Sequence, residues 1–377
     1  MNVLDLSTKL ISFKSISPNS SGSLEFIDGF LKKNKFKCEL LEFGEKKKVK
    51  NLYAYIKCGE GPNLCFAGHT DVVPPGSDKE WSSPPFSATI KNGVLYGRGA
   101  SDMKTAIASF IFSSIKFIER KKLNFNGTIS FLLTADEEGE ADFGTKKVVE
   151  WIKKKNHKID FCLVGEPTNP NKLGEMVKVG RRGSLNGKLI ITGSQGHVAY
   201  PEKCNNPIEY LIKVCNRLVK PFDNGSKLFQ PTKLVITSID VGNDITNLIP
   251  NEASLKFNVR FNDQFKSEDI IKIIKDRINE EKVKYKLNVK VSGESFFNYS
   301  EKLTDSLTKA IKSVTNKEPE LSTSGGTSDA RFISKICPVI EFGIVGKTMH
   351  KINENVRVAD LESLTKIYLN FLNNFFE

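Results

Sequence analysis

The chain has 377 residues, of which 39% are hydrophobic and 27% charged, with a formal net charge of +12. That length allows two domains with a substantial core, and the absence of any low-complexity tract argues against a disordered chain. No run approaches the ~18 apolar residues that a membrane-spanning helix needs, and the opening MNVLDLSTKLISF lacks the basic region and unbroken apolar stretch of a secretory leader.

In chain order, Val3 to Phe13 and Leu24 to Phe36 carry apolar residues at helical spacing. Leu52 to Ile56, Asn63 to Phe66, Thr128 to Leu133 and Phe161 to Val164 are short apolar runs of the buried-strand kind, with helices predicted over Thr105–Ile118 and Thr145–Lys155. This alternation predicts an α/β sheet covered by helices on both faces. From residue 182 to 295 the order changes to strand (Ser184–Gly193), helix (Pro207–Val219), two strands (Lys233–Val241, Ala253–Asn262), helix (Glu268–Glu281) and strand (Tyr285–Ser292). That is the β-α-β-β-α-β pattern of a ferredoxin-like module. After it come a helix (Leu303–Val314), a strand (Val339–Phe342) and a closing helix (Leu361–Phe375). The reading is a discontinuous domain, 1–181 and 296–377, carrying an inserted module over 182–295.

The positive charge lies on lysine-rich stretches such as LKKNKFK and VVEWIKKK, with acids interspersed and no nucleic-acid motif. It reads as a solvated basic surface that steers anionic small molecules. Seven cysteines, odd in number and never spaced C-x-x-C, fit free thiols in a reducing compartment such as the cytoplasm.

Four segments place metal-capable side chains at strand ends. In FAGHTDVVPPG an apolar strand runs out into His69 and Asp71, two residues apart and so on one side. That spacing allows His69 to bind a metal with Asp71 behind it, although a capped strand end would look the same in isolation. In LYGRGASDMK, Asp102 is either a helix N-cap or a carboxylate shared by two cations. TADEEGE puts Asp136, Glu137, Glu138 and Glu140 within five positions of a buried strand's exit, and such crowding calls for protons or cations. LVGEPT ends another strand in Glu166. The chain has only four histidines. His157 sits in the lysine-rich KKKNHKID and reads as idle, whereas His69, His197 and His350 fall in strand-end or glycine-rich contexts. Histidines with carboxylates suit zinc first, and cobalt or manganese as substitutes.

FAGHTDVVPPG, WSSPPFSATIKNGVLYGRGASDMK, TADEEGE and VGEPT, in this order along the chain, resemble the signature blocks of the M20 metallopeptidase and deacylase family. The blocks VGRRGSLNG, GHVAYPEKCNNP, ITNLIPNE and SGGTSDARF narrow the resemblance to one of its deacylase branches. The resemblance implies hydrolysis of an acyl-amino-acid amide by a two-zinc centre. His69 and Glu166 would bind one ion, Glu138 and His350 the other, with Asp102 bridging and an unusual cis Asp102–Met103 peptide. It implies Glu137 as general base, Asp71 orienting His69, and His197 stabilising an oxyanion across the interface of a homodimer formed by the inserted module. The implied substrate has three carboxylates and one ammonium. Arg181, Arg182 and Arg331 would then clamp carboxylates, and Ser184, Tyr200, Asn247, Gly326 and Thr327 would add hydrogen bonds. One departure is Gly346, where relatives have an asparagine. Alternatives are another M20 activity or a metal-free binding homologue, the latter disfavoured because every implied ligand is present.

Overall fold

The computed structural model describes all of residues 1–377. The chain divides into two compact units, the first holding residues 1–179, 298–322 and 328–377, the second residues 180–297 and 323–327. In chain order the first unit has α1 (Val3–Ser12), α2 (Ser23–Lys33), β1 (Lys37–Phe43), β2 (Val49–Cys58), β3 (Asn63–His69), α3 (Lys104–Lys121), β4 (Gly127–Thr134), α4 (Thr145–Lys154), β5 (Phe161–Val164) and β6 (Met176–Lys178). The second unit follows with β7 (Gly183–Thr192), α5 (Pro207–Leu218), β8 (Lys233–Asp240), β9 (Glu252–Phe261), α6 (Ser267–Asn279) and β10 (Lys284–Gly293). The first resumes with α7 (Glu301–Thr315), β11 (Glu320–Ser322), β12 (Val339–Glu341) and α8 (Val358–Phe376).

The first unit is built on an eight-stranded sheet ordered β1-β2-β4-β3-β5-β12-β6-β11. β4, β3, β5 and β12 run parallel to one another, flanked on one side by β2 and β1, antiparallel to β4 and to each other in turn, and on the other by β6, which is antiparallel to β12 and parallel to β11. Every residue of β3 and β4 is buried, as expected of parallel strands with helices on both faces. Phe66 of β3 stacks on Phe110 of α3 at 4.4 Å between ring centres. Tyr368 of α8 meets both rings edge-on and spends its hydroxyl on the Phe342 carbonyl, 2.6 Å away. α1 is started by a capping box in which Asn2 and Asp5 exchange side-chain and backbone hydrogen bonds. β1 is absent from the sequence expectation because it is a sheet edge whose residues are all partly or fully exposed, leaving no apolar run to detect.

The register of the parallel strands sets the geometry of the site. His69, the last residue of β3, pairs with Thr134, the last of β4, and Ala67 pairs with Val164, the last of β5. The residues that follow these ends, Asp136 to Glu138 and Glu166, therefore emerge level with His69 along one edge of the sheet. This carboxyl edge is where open α/β sheets bind ligands.

The second unit is an antiparallel sheet ordered β8-β9-β7-β10, with α5 and α6 against one face. Leu185, Leu189, Leu255, Val259, Ile270 and Ile274 form its own core. Alternate residues of β9 are buried and partly or fully exposed, the period-2 pattern of a sheet covered on one side. No helix of either unit is long and apolar enough to cross a membrane. All seven cysteines are free.

Candidate metal centre

His69, Asp102, Glu137, Glu138, Glu166 and His350 converge at the carboxyl edge of the first unit's sheet. His69 Nε2 lies 3.1 Å from Asp102 Oδ1 and 3.8 Å from Glu166 Oε1. His350 Nε2 lies 3.3 Å from Asp102 Oδ2 and 2.9 Å from Glu138 Oε1. Each oxygen of Asp102 thus faces a different histidine. The ligand atoms of His69, Asp102 and Glu138, and separately those of His69, Glu137 and Glu166, lie within 4.8 Å of one another. Donors around one tetrahedral zinc with bonds of about 2.0–2.1 Å stand about 3.3 Å apart. The spacings in the cluster suit that donor set, and Asp102, with one oxygen toward each histidine, suits two ions better than one. The Asp102–Met103 peptide is cis.

His69 is held by its own strand end. Its Nδ1 meets the main-chain carbonyl of Asp71 at 2.9 Å, which assigns a proton to Nδ1 and leaves Nε2 as the ring nitrogen turned toward Asp102. The contact comes from the Asp71 backbone and not from the carboxylate expected to make it, since Asp71 Oδ1 is 3.8 Å from the ring. The carboxylate instead accepts the backbone N–H groups of Glu137, at 3.1 Å, and Glu138, at 3.0 Å.

The electrostatics are those of a crowded acidic site. Burial works against a charge on His69, but the hydrogen bond to Asp102 and the charges of Asp102, Glu166 and Asp71 hold its pKa well above the usual imidazole value. Hydrogen bonds to Asp102 and Glu138 push His350 up to about 10. Burial opposes ionisation of Asp102, yet the two histidines hold its carboxyl well below the usual carboxylate range. Burial, with the charges of Asp329 and Glu138, raises Glu137 well above the ordinary glutamate value, and burial with Asp102 and Glu137 does the same to Glu166. Without cations, these shifts all favour protons on the imidazoles and on the buried carboxyls of Glu137 and Glu166.

Arg331 is the second residue of a short helix, Ala330–Ile333, in the first unit, and its charge acts on Glu137 and Asp329. At Gly346, where relatives have an asparagine, a Cβ would lie 3.0 Å from the Pro167 carbonyl oxygen, a tight contact.

The other residues singled out by sequence belong to the second unit. His197 pairs with Leu248 in a two-residue ribbon next to Asn247, whose carbonyl accepts the Val198 N–H, and both side chains are exposed in that unit. Tyr200 is exposed with its ring 6.0 Å from that of His197. Arg181 is buried and donates to the Gly326 carbonyl at 3.1 Å, with Thr327 adjacent, and Ser184 lies near the Asn258 amide at 3.4 Å. Arg260, which sequence reasoning missed, pairs with Ser184 across β7 and β9. The buried Arg182 Nε and Arg260 Nη1 have no hydrogen-bond partner. Burial lowers the pKa of both guanidiniums, and Arg182 and Arg181 lower Arg260 further. A single arginine late in a strand carries no motif, so only the register reveals the cluster. A cleft of about 830 Å³ among Phe43, Phe143 and Trp151 contains none of these residues.

A helix-covered α/β sheet that gathers histidines and carboxylates at its carboxyl edge is the arrangement of a metal-dependent hydrolase. The chain belongs to peptidase family M20/M25/M40, whose model matches residues 65–374. It is 51% identical to the succinyl-diaminopimelate desuccinylase of Pelagibacter ubique (strain HTCC1062), over 100% of this chain and 99% of that protein. It is 50% identical to the protein of the same name from Wolbachia pipientis wMel, over 99% of this chain and 93% of that one. Among solved structures it resembles an M20 family metallo-carboxypeptidase from Sulfolobus solfataricus, with a TM-score of 0.82 at 18% identity, covering 100% of this chain and 99% of that one.

Proposed function

We propose that the chain hydrolyses N-succinyl-L,L-2,6-diaminopimelate to succinate and L,L-diaminopimelate, a step of diaminopimelate and lysine synthesis. The observation that carries the reading is the Asp102 carboxylate with one oxygen toward each of two histidines, in a chain similar over its full length to relatives of that name. Two zinc ions, replaceable by cobalt or manganese, would be held by His69 and Glu166, by Glu138 and His350, and by Asp102 between them. Bound there, the ions supply a more acidic water and a polarised amide carbonyl.

The chain's own residues do the rest. Glu137 accepts a proton from the water as its oxygen forms the new C–O bond, and returns that proton to the amide nitrogen as the C–N bond breaks. Burial raises the pKa of Glu137, the direction that a group taking up and returning a proton needs. Asp71 keeps Glu137 in place by holding its N–H. Arg181, Arg182 and Arg331 take substrate carboxylates, and Arg260 joins them on the strength of its unpaired buried Nη1. Ser184, Tyr200, Asn247, Gly326 and Thr327 supply hydrogen bonds. His197, exposed in its own unit, steadies the oxyanion of a second copy in a homodimer formed through the second unit. Seven free thiols suit a cytoplasmic location.

The test is turnover by zinc-loaded protein of the succinylated substrate beside acetylornithine. Preferential release of succinate supports the reading, and preferential turnover of acetylornithine overturns the choice of substrate.

A further inference from the structure

We propose that Arg98 and Glu354 are a positioning pair that fixes Asp102 and His350 at the metal centre and thereby sets its affinity for metal. The inference rests on the reading of these two residues as metal ligands.

Glu354 is fully buried, at 0% exposure, and its carboxylate is wholly engaged. Oε1 accepts the backbone N–H groups of Ser101 at 2.8 Å and Asp102 at 3.0 Å. Oε2 accepts the N–H of Gly99 at 3.1 Å and Arg98 Nη1 at 2.6 Å. One carboxylate therefore clamps the main chain of the turn that delivers Asp102. The turn is tight enough to need glycine, for Gly99 has φ +86° and a Cβ there would lie 2.8 Å from Val72 Cγ1 and 2.9 Å from Lys104 Cδ.

Arg98 carries the constraint to the other side of the centre. Its Nη1 donates to the Lys351 carbonyl at 3.2 Å, and its Nη2 to the carbonyls of Pro74 at 3.3 Å and His350 at 3.4 Å. The guanidinium lies 5.3 Å from the Trp81 ring centre. His350 itself has φ +60°, a left-handed conformation that a non-glycine residue keeps only when its surroundings hold it. The pair thus joins three stretches of chain: the turn before Asp102, the loop of His350, and the segment leaving His69 and Asp71.

A buried ion pair is a weak source of net stability, since apolar residues of similar volume often serve as well. What apolar residues cannot do is accept three main-chain N–H groups and donate to three carbonyls at fixed angles. The gain from this pair is geometry, and groups that orient metal ligands typically change affinity by about 10–100-fold when removed.

The test uses the full chain titrated with cobalt(II), read by calorimetry and by its visible d–d absorption, with circular dichroism as a control on folding. Glu354→Gln cannot accept with both ends, and Arg98→Lys keeps the charge but loses the fork. Glu354→Gln is expected to fold, to bind cobalt about 10–100-fold more weakly and to show an altered d–d spectrum. Arg98→Lys should move both readouts in the same direction by less. Wild-type affinity and spectrum in either folded variant overturn the proposal, as does failure of both variants to fold, which would make the pair a general structural requirement. A wild-type chain that takes up no cobalt would instead sink the metal-centre reading itself.

Discussion

Asp71 accepts the backbone N–H of Glu137 at 3.1 Å, so the residue two positions beyond one candidate metal ligand anchors the candidate base in the loop that follows a different strand. The same carboxylate holds Glu138, at 3.0 Å, and its main-chain carbonyl holds the His69 ring. One residue at 0% exposure thus ties the end of β3 to the loop after β4. Asp71→Asn retains a single acceptor oxygen and presents an amide N–H₂ to the remaining backbone donor. Steady-state kinetics should show kcat lowered by about 10–100-fold, with two metals still bound. Unchanged kcat would separate Asp71 from the placement of Glu137.

Glu137→Gln tests the base directly. The substitution keeps the shape of the side chain and removes its ability to take a proton. General acid–base contributions are typically about 10²–10⁴-fold, so turnover should fall by that order while metal content, measured by atomic emission, stays at the wild-type level. Loss of metal together with activity would reassign Glu137 as a ligand. That outcome has a geometric basis, because its carboxylate groups with His69 and Glu166 as readily as Glu138 does with His69 and Asp102.

What the sequence disclosed, and what it hid, follows from the range of the interactions. β3, β4 and β5 were legible as apolar runs because strands buried on both faces have no polar side to show. The β-α-β-β-α-β order could be read from the opposite sign, the period-2 and helical spacings of elements covered on one side, and the acids because they directly follow buried strands. Three-residue strands such as β6 and β11 carry too few residues for any period. The Arg98–Glu354 pair was hidden because its members are far apart in the chain, in stretches where a lone arginine and a lone glutamate look like surface residues. The role of Asp71 was misjudged at the level of atoms, since spacing places a residue but does not say whether its carbonyl or its carboxylate makes the contact.

Metal uptake should release protons. In the metal-free chain the hydrogen bonds to Asp102 and Glu138 push His350 up to about 10, so its imidazole holds a proton at neutral pH, and against burial the contact with Asp102 raises His69 in the same direction. A metal must displace those protons, and raising the pH removes its competitor, so apparent affinity rises with pH and falls on acidification. Calorimetric titrations in buffers of different ionisation enthalpy should give a positive number of protons released per chain at pH 7. A heat of binding independent of the buffer would contradict the proton-filled cluster.

Lys104 gives a prediction about folding. Its side chain is fully buried, with Nζ 2.8 Å from the Phe13 carbonyl, and burial lowers its pKa from 10.5 to about 7 against the opposing charges of Glu354 and Asp71. Between these two values the unfolded chain holds a proton that the folded chain lacks, so this residue makes the folded state more stable as pH rises through the window. Below about pH 7 both states are protonated and the full penalty of a buried ammonium stands. Lys104→Met leaves the Phe13 carbonyl without its donor, which costs about 1–3 kcal/mol at every pH. It also abolishes the share of the pH dependence that Lys104 contributes. Urea unfolding of metal-free protein at pH 6, 7.5 and 9 should therefore show the stability of wild type gaining on that of the variant by a few kcal/mol as pH rises. Other titrating groups cancel in the difference between the two proteins. Parallel stability curves would mean that Lys104 keeps an ordinary pKa in the folded chain, and that a charge is tolerated beside the turn that carries Asp102.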